Sequence, residues 1–187
     1  MLPKKFYNRD ASVVAKELLG CIIVKKNDET LKGKIVETEA YYGLSDPASR
    51  AKNGRIGKIM GGEAGISFIY MVHGNWLFNV TTMPEGKASG ILIRAVEPLK
   101  GVEKMKERRR RENIRDLTSG PGKFTQAFGI DNSYNGIKIY RRDSPIYIEN
   151  KGKKKFEIVE SYRIGVREDL PFPLRFYIKG NEFVSKL

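Results

Sequence analysis

The N-terminal forty residues show two hydrophobic periods in succession, first that of a helix and then that of strands. Asp10 stands where a helix N-cap is expected, and the apolar residues after it recur at spacings of three and four along one helix face. These residues are Ala11, Val14, Ala15 and Leu18. Gly20 ends the pattern, because glycine readily adopts the left-handed conformation found after helices. The pattern predicts a short amphipathic helix between Asp10 and Gly20.

Apolar runs of strand length follow the helix. Residues 21–25 form the first run, and a polar turn at 27–29 joins it to residues 33–41, which predicts a β-hairpin. Further strands are predicted at 66–72, 77–82, 90–96 and 174–178, with a turn at 73–75 and glycine-containing breaks at 135–136 and 150–152. Residues 66–72 are apolar at nearly every position, which is typical of a strand buried on both faces.

One long loop and two more helices complete the pattern. Residues 43–65 are rich in glycine and have little periodicity, so we expect a surface loop, which in a compact domain is usually functional or mobile. Glu97-Pro98 is typical of a helix start and predicts a helix that runs to about Asn113. A shorter helix is predicted over residues 123–128.

The order of these elements mixes hairpins and helices without a regular strand–helix–strand alternation. The chain has 187 residues, of which 40% are hydrophobic, so its length suits one compact domain and its apolar content suffices for a core. No repeat or linker divides it. We therefore predict a single α+β domain over residues 1–187, built on a curved, mainly antiparallel β-sheet flanked by helices.

The composition excludes several classes of protein. No stretch reaches the roughly 18 apolar residues of a membrane span, and the start lacks the apolar centre of a signal peptide, so we expect an intracellular protein of the cytoplasm or nucleoid. Cys21 is the only cysteine and His73 the only histidine, which excludes an internal disulfide and a zinc site. Any Ser–His or Cys–His mechanism would need His73. We expect no metal and no cofactor.

The charge balance favours a polyanionic partner. Lys and Arg number 35 and Asp and Glu 22, so the net charge is +13, for which nucleic acid is the simplest partner and an anionic membrane a weaker one. The densest basic runs lie at residues 100–115 and 151–155. Glu103, Glu107 and Glu112 lie about one helical turn from bases of the first run, so a solvated helix with internal ion pairs explains it as well as a phosphate contact does.

A period of two in residues 34–41 places Glu37, Glu39 and Tyr41 on one face of the predicted strand. A solvent-exposed face would explain this arrangement without any function. Arg94 interrupts an otherwise apolar strand, and a buried arginine needs an anionic partner. It either pairs with Glu97 or a core carboxylate, or it binds a substrate.

The glycine-rich segment at residues 119–123 is not a nucleotide-binding P-loop. Leu117 stands where that motif requires its first glycine, and Phe124 where Ser or Thr should follow the lysine. The start of a helix is the simpler explanation, although its backbone N–H groups can still bind a DNA phosphate.

Several runs match one known family together and in its order. They are residues 33–41 (GKIVETEAY), 46–49 (DPAS), 91–98 (ILIRAVEP), 119–123 (SGPGK) and 174–178 (LRFYI). In combination they resemble the 3-methyladenine DNA glycosylases of the alkyladenine (N-methylpurine) type, over residues 6–185. The resemblance implies a monofunctional base-excision enzyme that flips a damaged purine out of duplex DNA and hydrolyses its N-glycosidic bond.

The resemblance also implies roles for single residues. Glu39 matches the general base that activates the attacking water, and Arg94 matches an arginine that places this water and the phosphate of the flipped nucleotide. Tyr41 and Tyr70 match aromatic walls of the base pocket. Asn79 matches an asparagine at the pocket rim that rejects purines with normal exocyclic groups.

Two positions depart from the family pattern. His73 stands where the family usually inserts a tyrosine into the base stack, and residues 74–78 form a segment one residue shorter than usual. We expect His73, with Met60 nearby, to fill that gap. Arg50 replaces a histidine of the base pocket, and a guanidinium facing a cationic base is unfavourable. We therefore expect Arg50 to turn towards a DNA phosphate or a carboxylate such as Glu37.

The expected partner is double-stranded DNA with a damaged purine, bound by a monomer, with Lys123, Arg55 and Lys58 as candidate contacts to the DNA backbone. Two other classes stay open. A basic nucleic-acid-binding module without catalysis would explain the net charge but not the combination of carboxylate, tyrosines and arginine. A transferase or hydrolase of small anionic molecules would use the same arginine and glutamate.

Overall fold

The computed structural model describes residues 1–26, 29–150, 152 and 155–186. The predicted turn at 27–29 and the basic run at 151–155 lie largely outside the described residues. Within the described ranges the chain forms six α-helices and eight strands. The helices are α1 (Lys4–Tyr7), α2 (Ala11–Leu18), α3 (Gly54–Met60), α4 (Val102–Arg109), α5 (Arg115–Thr118) and α6 (Pro121–Phe128). The strands are β1 (Ile22–Lys25), β2 (Leu31–Tyr42), β3 (Ser67–Val72), β4 (Asn75–Thr81), β5 (Ser89–Lys100), β6 (Ile146–Glu149), β7 (Ile158–Ser161) and β8 (Arg175–Ile178).

The eight strands in the described ranges join in one antiparallel sheet. Its main order is β3-β4-β5-β2-β1-β6, and β8 pairs with both β2 and β7. Strand β2 organises the sheet, because β5 follows it along one edge while β1 and β8 share the other. The sheet curls into a half-barrel, which confirms the predicted α+β class with a curved antiparallel sheet.

Helix α2 forms as its pattern predicts. Asp10 accepts hydrogen bonds from the backbone N–H groups of Ser12 and Val13, and Gly20 follows the helix with a φ of 78°. The four apolar positions are fully buried. The helix covers β2, where Thr38 donates its hydroxyl to the carbonyl of Ala15 at 3.0 Å. Helix α6 packs on β4 and β5, so the core lies between the sheet and these two helices.

The glycine-rich segment 43–65 is more ordered than the sequence predicts. Asn53 accepts a hydrogen bond from the N–H of Ile56 and begins α3, so the prediction of a loop throughout is wrong. Met60, at the end of α3, packs with Ala51 and Phe68 in a small hydrophobic cluster. This tertiary packing offsets the low helix propensity of glycine, which the local sequence alone does not reveal.

Strand β5 also exceeds its prediction. It continues through Glu97 and Pro98 to Lys100, and α4 begins only after Gly101, which has a φ of 77°. The predicted helix start at Glu97-Pro98 is therefore wrong. Strand β4 pairs with β5 only over residues 90–92, so Pro98 lies beyond the doubly paired part, where a strand tolerates the missing N–H.

Strand β3 is buried on both faces only in its first half. It is an end strand of the sheet, and Met71 is 51% exposed, so the prediction of burial on both faces is wrong there. His73 and Gly74 join β3 to β4 with φ values of 47° and 75°. Two consecutive left-handed residues make the tight turn that best fits the twist of a two-residue hairpin.

Helix α4 confirms the interpretation of the first basic run as a helix with internal ion pairs. The Nζ atom of Lys104 lies 2.7 Å from Glu107, and that of Lys106 lies 3.2 Å from Glu103. The helices of the described residues are all too short or too polar to cross a membrane.

Candidate active site

The two carboxylates of β2 lie together, fully buried, on one side of the sheet. Arg94 of β5 joins them, because its Nε lies 3.1 Å from Oε1 of Glu37 and its Nη1 lies 3.1 Å from Oε1 of Glu39. Glu97 instead pairs with Lys34 at 2.5 Å. The structure therefore pairs Arg94 with the core carboxylates and not with Glu97, and its role towards a substrate stays a prediction.

Glu37 accepts four hydrogen bonds from the described residues, three of them at Oε1. Its Oε1 accepts from Nε of Arg175 at 2.7 Å and from the hydroxyl of Ser185 at 2.9 Å, besides Arg94. Its Oε2 accepts from the backbone N–H of Ser185 at 2.7 Å. With two arginines and a chain segment attached to it, Glu37 serves to fix Arg94.

Glu39 keeps capacity for one more donor. Its Oε1 accepts from the backbone N–H of Ile164 at 2.9 Å and faces Arg94, while its Oε2 accepts from the hydroxyl of Tyr41 at 2.7 Å. A carboxylate oxygen accepts two hydrogen bonds, and Oε2 has one donor within the described part of the chain. Burial raises the pKa of Glu39, and Arg94 opposes that effect.

A cavity of about 1160 Å³ opens beside this cluster. Tyr41, Tyr70, Leu92 and Arg94 are among its lining residues, together with residues 120–123 at the start of α6 and residues 164–168. Glu39 does not itself line the cavity. It lies behind Tyr41 and Arg94, which contact both the carboxylate and the open space.

The two tyrosines present neutral aromatic surfaces. Burial raises the pKa of Tyr41 well above its ordinary value, and Glu39 adds to the effect. Burial likewise raises the pKa of Tyr70 to about 12. The ring of Tyr70 stacks on Phe68, with centroids 6.2 Å apart. Both phenols are therefore protonated near neutral pH.

Cations surround the mouth of the cavity. Arg50, Lys52 and Arg167 line it, are exposed, and have no acidic partner among the residues that the structure describes. Lys123 lines it as well, with Asp116 at 3.9 Å. Positive side chains without partners around an opening form a site for a polyanion.

The sequence matches the family described as "Methylpurine-DNA glycosylase (MPG)" over residues 5–182. A protein from Clostridium tetani is 44% identical, over 99% of this chain and 98% of the relative. One from Methanoculleus marisnigri is 39% identical over 99% and 98%, and one from Aeropyrum pernix 40% over 100% and 93%. Each bears the name "Putative 3-methyladenine DNA glycosylase".

The chain belongs to the methylpurine-DNA glycosylase family. It is thus a DNA repair enzyme that hydrolyses the N-glycosidic bonds of alkylated bases, and the resemblance stated from its motifs is confirmed. Membership of an enzyme family also disfavours both a module without catalysis and a transferase of small molecules.

The structure brings four of the predicted site residues of this glycosylase together: Glu39, Arg94, Tyr41 and Tyr70. Asn79 is not one of the cavity-lining residues. It is buried in β4, where its Nδ2 donates to the backbone carbonyls of Phe68 and Leu77, so the prediction of a position at the pocket rim is corrected.

The two candidates for filling the gap in the DNA stack, His73 and Met60, differ in exposure. His73 is exposed at the tip of the β3–β4 hairpin and lines the cavity. Met60 is 1% exposed and packs in the cluster with Phe68, so it cannot enter DNA in this conformation. Sequence reasoning selected Met60 because it took residues 43–65 for a loop. The exposed methionine beside the hairpin tip is Met71 of β3.

Arg50 does not pair with Glu37. That carboxylate is fully buried and already bound by Arg94, Arg175 and Ser185, so this half of the Arg50 prediction is wrong. Arg50 instead lies exposed at the cavity, where its charge acts on the pKa of Tyr70. A contact with a DNA phosphate stays a prediction.

The predicted DNA-backbone contacts fall on two surfaces. Lys123 lines the main cavity, whereas Arg55 and Lys58 lie exposed on α3. Arg55 also lines a second groove of about 310 Å³ with Met71 and Trp76. All three contacts remain predictions.

Sequence reasoning missed the segment at residues 163–168. Ile164 acts through its backbone N–H, which leaves no mark in the sequence, and Arg167 stands in a stretch without periodicity. Arg175 lies in the family motif at residues 174–178 and Ser185 at the end of the resembling region, but their contact with Glu37 depends on the pairing of β8 with β2.

Proposed function

We propose that this glycosylase everts a damaged purine nucleotide from duplex DNA into the cavity and hydrolyses its N-glycosidic bond with a water activated by Glu39. One observation carries the proposal. A buried carboxylate with an acceptor position left on Oε2 lies against Tyr41 and Arg94, and these two residues border a cavity with cations at its mouth.

Binding of the duplex uses the cations at the cavity mouth. Arg50, Lys52, Lys123 and Arg167 neutralise phosphates near the everted nucleotide, which fixes the position of the protein on DNA without reading its sequence. The exposed ring of His73 fills the gap left in the base stack. Eversion costs a few kcal/mol, and these contacts offset it.

The everted base lies against Tyr41 and Tyr70. Stacking on an aromatic side chain contributes roughly 1–3 kcal/mol per base. A purine alkylated on a ring nitrogen carries a positive charge, and a cation–π interaction adds roughly 0.5–2 kcal/mol for it over the normal base. The negative face of each aromatic ring attracts the cationic lesion, and the preference for alkylated purines follows.

Hydrolysis breaks the bond between C1′ and the purine nitrogen, and the bonding electron pair leaves with the base. A cationic alkylated purine departs as a neutral molecule and needs little help from an acid. The oxygen of water then bonds to C1′ while Oε2 of Glu39 takes its proton. The negative charge of Glu39 also stabilises the oxocarbenium-like sugar.

Arg94 keeps Glu39 ready for this step. Burial raises the pKa of this carboxyl group, and the guanidinium 3.1 Å away opposes that effect and favours the ionised form that accepts a proton. Glu37 holds the other edge of the guanidinium, so Arg94 keeps its orientation with or without DNA. The part of Arg94 that borders the cavity helps to orient the water.

The product is an intact abasic strand, because the mechanism uses water and no amine nucleophile. The enzyme acts as a monomer on chromosomal DNA inside the cell. Light scattering of the protein with and without an equimolar duplex measures the oligomeric state.

Base release from four duplexes tests the proposal, each duplex carrying one 3-methyladenine, 7-methylguanine, hypoxanthine or ethenoadenine. We expect wild type to release at least the two cationic bases, with strand cleavage only after alkali. Glu39→Gln should bind the duplexes and release base about 10² to 10⁴ times more slowly than wild type. His73→Tyr reports on the filling of the gap. Absence of release by wild type, or equal release by Glu39→Gln, would overturn the proposal.

A further inference from the structure

One fully buried arginine near the cavity has no part in the mechanism above. The side chain of Arg163 has no exposed surface and does not line the cavity, although the next five residues, 164–168, do. An arginine is seldom fully buried unless ionic and hydrogen-bond partners replace the water that its charge loses.

Two aspartates hold this guanidinium. Nη1 and Nη2 of Arg163 lie 2.6 and 2.8 Å from the two carboxylate oxygens of Asp46, which is a bidentate pair. Nε and Nη2 lie 2.9 and 2.6 Å from Oδ1 of Asp169, whose Oδ2 accepts from the backbone N–H of Arg163 at 3.0 Å. The pairing connects the loop after β2 to the segment before β8.

Arg163 reaches the catalytic strand by two contacts. Its Nη1 donates to the carbonyl of Ala40 at 3.0 Å, between Glu39 and Tyr41 in the chain. Its Cζ lies 4.5 Å from the centre of the Tyr41 ring. The guanidinium thus covers one face of the ring, so a base can stack only on the other.

Both oxygens of Glu39 depend on groups next to Arg163. Tyr41, whose ring is covered by the guanidinium of Arg163, donates its hydroxyl to Oε2. Ile164, the next residue in the chain, donates its backbone N–H to Oε1. The only other partner of this carboxylate in the described part of the chain is Arg94.

We propose that Arg163 is a positioning residue of this enzyme, which orients the general base through the ring of Tyr41 and the backbone of Ile164. The inference rests on the proposed function and adds a residue to it. Arg163 touches no reacting atom. It fixes the position of the Glu39 carboxylate relative to the ring face of Tyr41 on which a base can stack. Asp46 and Asp169 hold Arg163 itself in place.

The charged and titratable groups around Glu39 define what the test can detect. Glu37 and Tyr41 face it from β2, Arg94 from β5 and Tyr70 from β3, and the N–H of Ile164 faces it from the segment 162–170. Loss of the Ile164 hydrogen bond removes a group that favours the ionised carboxylate. Displacement of Arg163 should therefore move the titration of Glu39 upwards in pH.

Arg163→Lys removes the planar fork and the stacked ring contact while keeping the charge. We expect single-turnover base release to fall about 10- to 100-fold, since a misplacement of about 1 Å in a catalytic group has this order of effect. Duplex affinity should stay within about twofold, because the cations at the cavity mouth are unchanged. The acid limb of the rate profile should move to higher pH.

A matched control and a milder variant complete the design. Arg141→Lys changes an exposed bidentate pair with Asp143 and should leave rate and pH profile unchanged. Asp169→Asn keeps the pair with Asp46 and loses one acceptor, so it should show the same two effects at smaller size. It replaces Arg163→Lys if that variant does not fold.

Titration of Glu39 by carbon NMR, without DNA, separates this inference from the proposed function. An upward shift in Arg163→Lys or Asp169→Asn, together with slower base release, supports the positioning role. An unchanged Glu39 titration overturns it, as does a slower rate with an unmoved acid limb. If wild type releases no base, the proposed function fails, and the titration still decides whether Arg163 positions Glu39.

Discussion

Glu39 and Glu63 have similar neighbours, but their pKa values are shifted in opposite directions. Each accepts a hydrogen bond from a tyrosine hydroxyl, Tyr41 for Glu39 and Tyr140 for Glu63. Glu39 is fully buried with Arg94 as its cationic partner, and burial raises its pKa. The same kind of donor set thus surrounds a glutamate in the site and one outside it.

Glu63 lies at the surface, with 27% of its side chain exposed. Lys4 and Lys138 bind its two oxygens at 2.7 and 3.0 Å, and these bonds, led by that of Lys4, lower its pKa to about 2. The difference between the two glutamates shows that access to water decides whether the pKa of a carboxyl group with such partners rises or falls. A carboxylate with a raised pKa can take a proton in a reaction, whereas one held near 2 serves as an ion-pair partner.

Glu39→Gln should have the largest effect, because it should slow base release strongly whereas Glu63→Gln should leave the rate unchanged. Removal of a general base typically costs a factor of about 10² to 10⁴ in rate. Arg94 keeps Glu37 as a partner, so the fold should survive. The matched control is Glu63→Gln, with single-turnover release of 3-methyladenine as the measurement. Comparable losses of rate in the two variants would show that Glu39 is not the general base.

Arg94→Met should destabilise the protein far more than Lys138→Met. Loss of Arg94 leaves Glu39 buried without a charged partner, which costs about 3–5 kcal/mol. Lys138 is 47% exposed in its ion pair, and such pairs contribute about 1 kcal/mol or less. Urea unfolding at pH 7 measures both. A loss below about 1 kcal/mol for Arg94→Met would contradict the account of the buried pair.

Tyr41→Phe and Tyr140→Phe test the two phenols that donate to these glutamates. Tyr41→Phe keeps the ring but removes the hydrogen bond to Oε2 of Glu39, so base release should fall about tenfold, as expected for one hydrogen bond to a charged group. Tyr140→Phe should leave the rate unchanged. Single-turnover assays at saturating enzyme give both values. An equal rate for Tyr41→Phe and wild type would show that this bond does not orient the base.

Acid should reveal Glu63 through stability, and this effect should be the smallest. The folded pKa of Glu63 is about 2, below its unfolded value of 4.5, so its contribution is complete above 4.5 and is lost as pH falls towards 2. The stability difference between wild type and Glu63→Gln should therefore shrink across this window. Thermal unfolding at a series of pH values measures it. A difference that stays constant down to pH 2 would contradict the ion-pair account.

Local periodicity predicts the parts of the fold that it directly controls. Asp10 and the apolar spacing behind it locate α2, and the period of two in β2 places Glu37 and Glu39 on one face. Helix α3 and the extension of β5 through Pro98 escape such reasoning. Both depend on packing or strand pairing with distant parts of the chain, which local propensity does not contain.

The candidate site divides in the same way. Residues on strands are found from alternation and from the family motifs, so Glu39, Tyr41 and Arg94 are predicted together. The partners of Arg94 are fixed only when β2 and β5 pair. The segment with Arg163 and Ile164 lies about 125 residues from Glu39 in the chain and acts partly through its backbone. No pattern of side chains indicates such a contact.

The pH dependence of base release by wild type and Glu39→Gln shows whether Glu39 is the group that accepts the proton from water. Single-turnover rates are measured from pH 4 to 8 on a duplex with one 3-methyladenine, after subtraction of spontaneous release. We expect the wild-type rate to rise through a midpoint above 4.5, the ordinary pKa of a glutamate, and the residual rate of Glu39→Gln to lack this limb. An acid limb with the same midpoint in both proteins would show that another group accepts the proton.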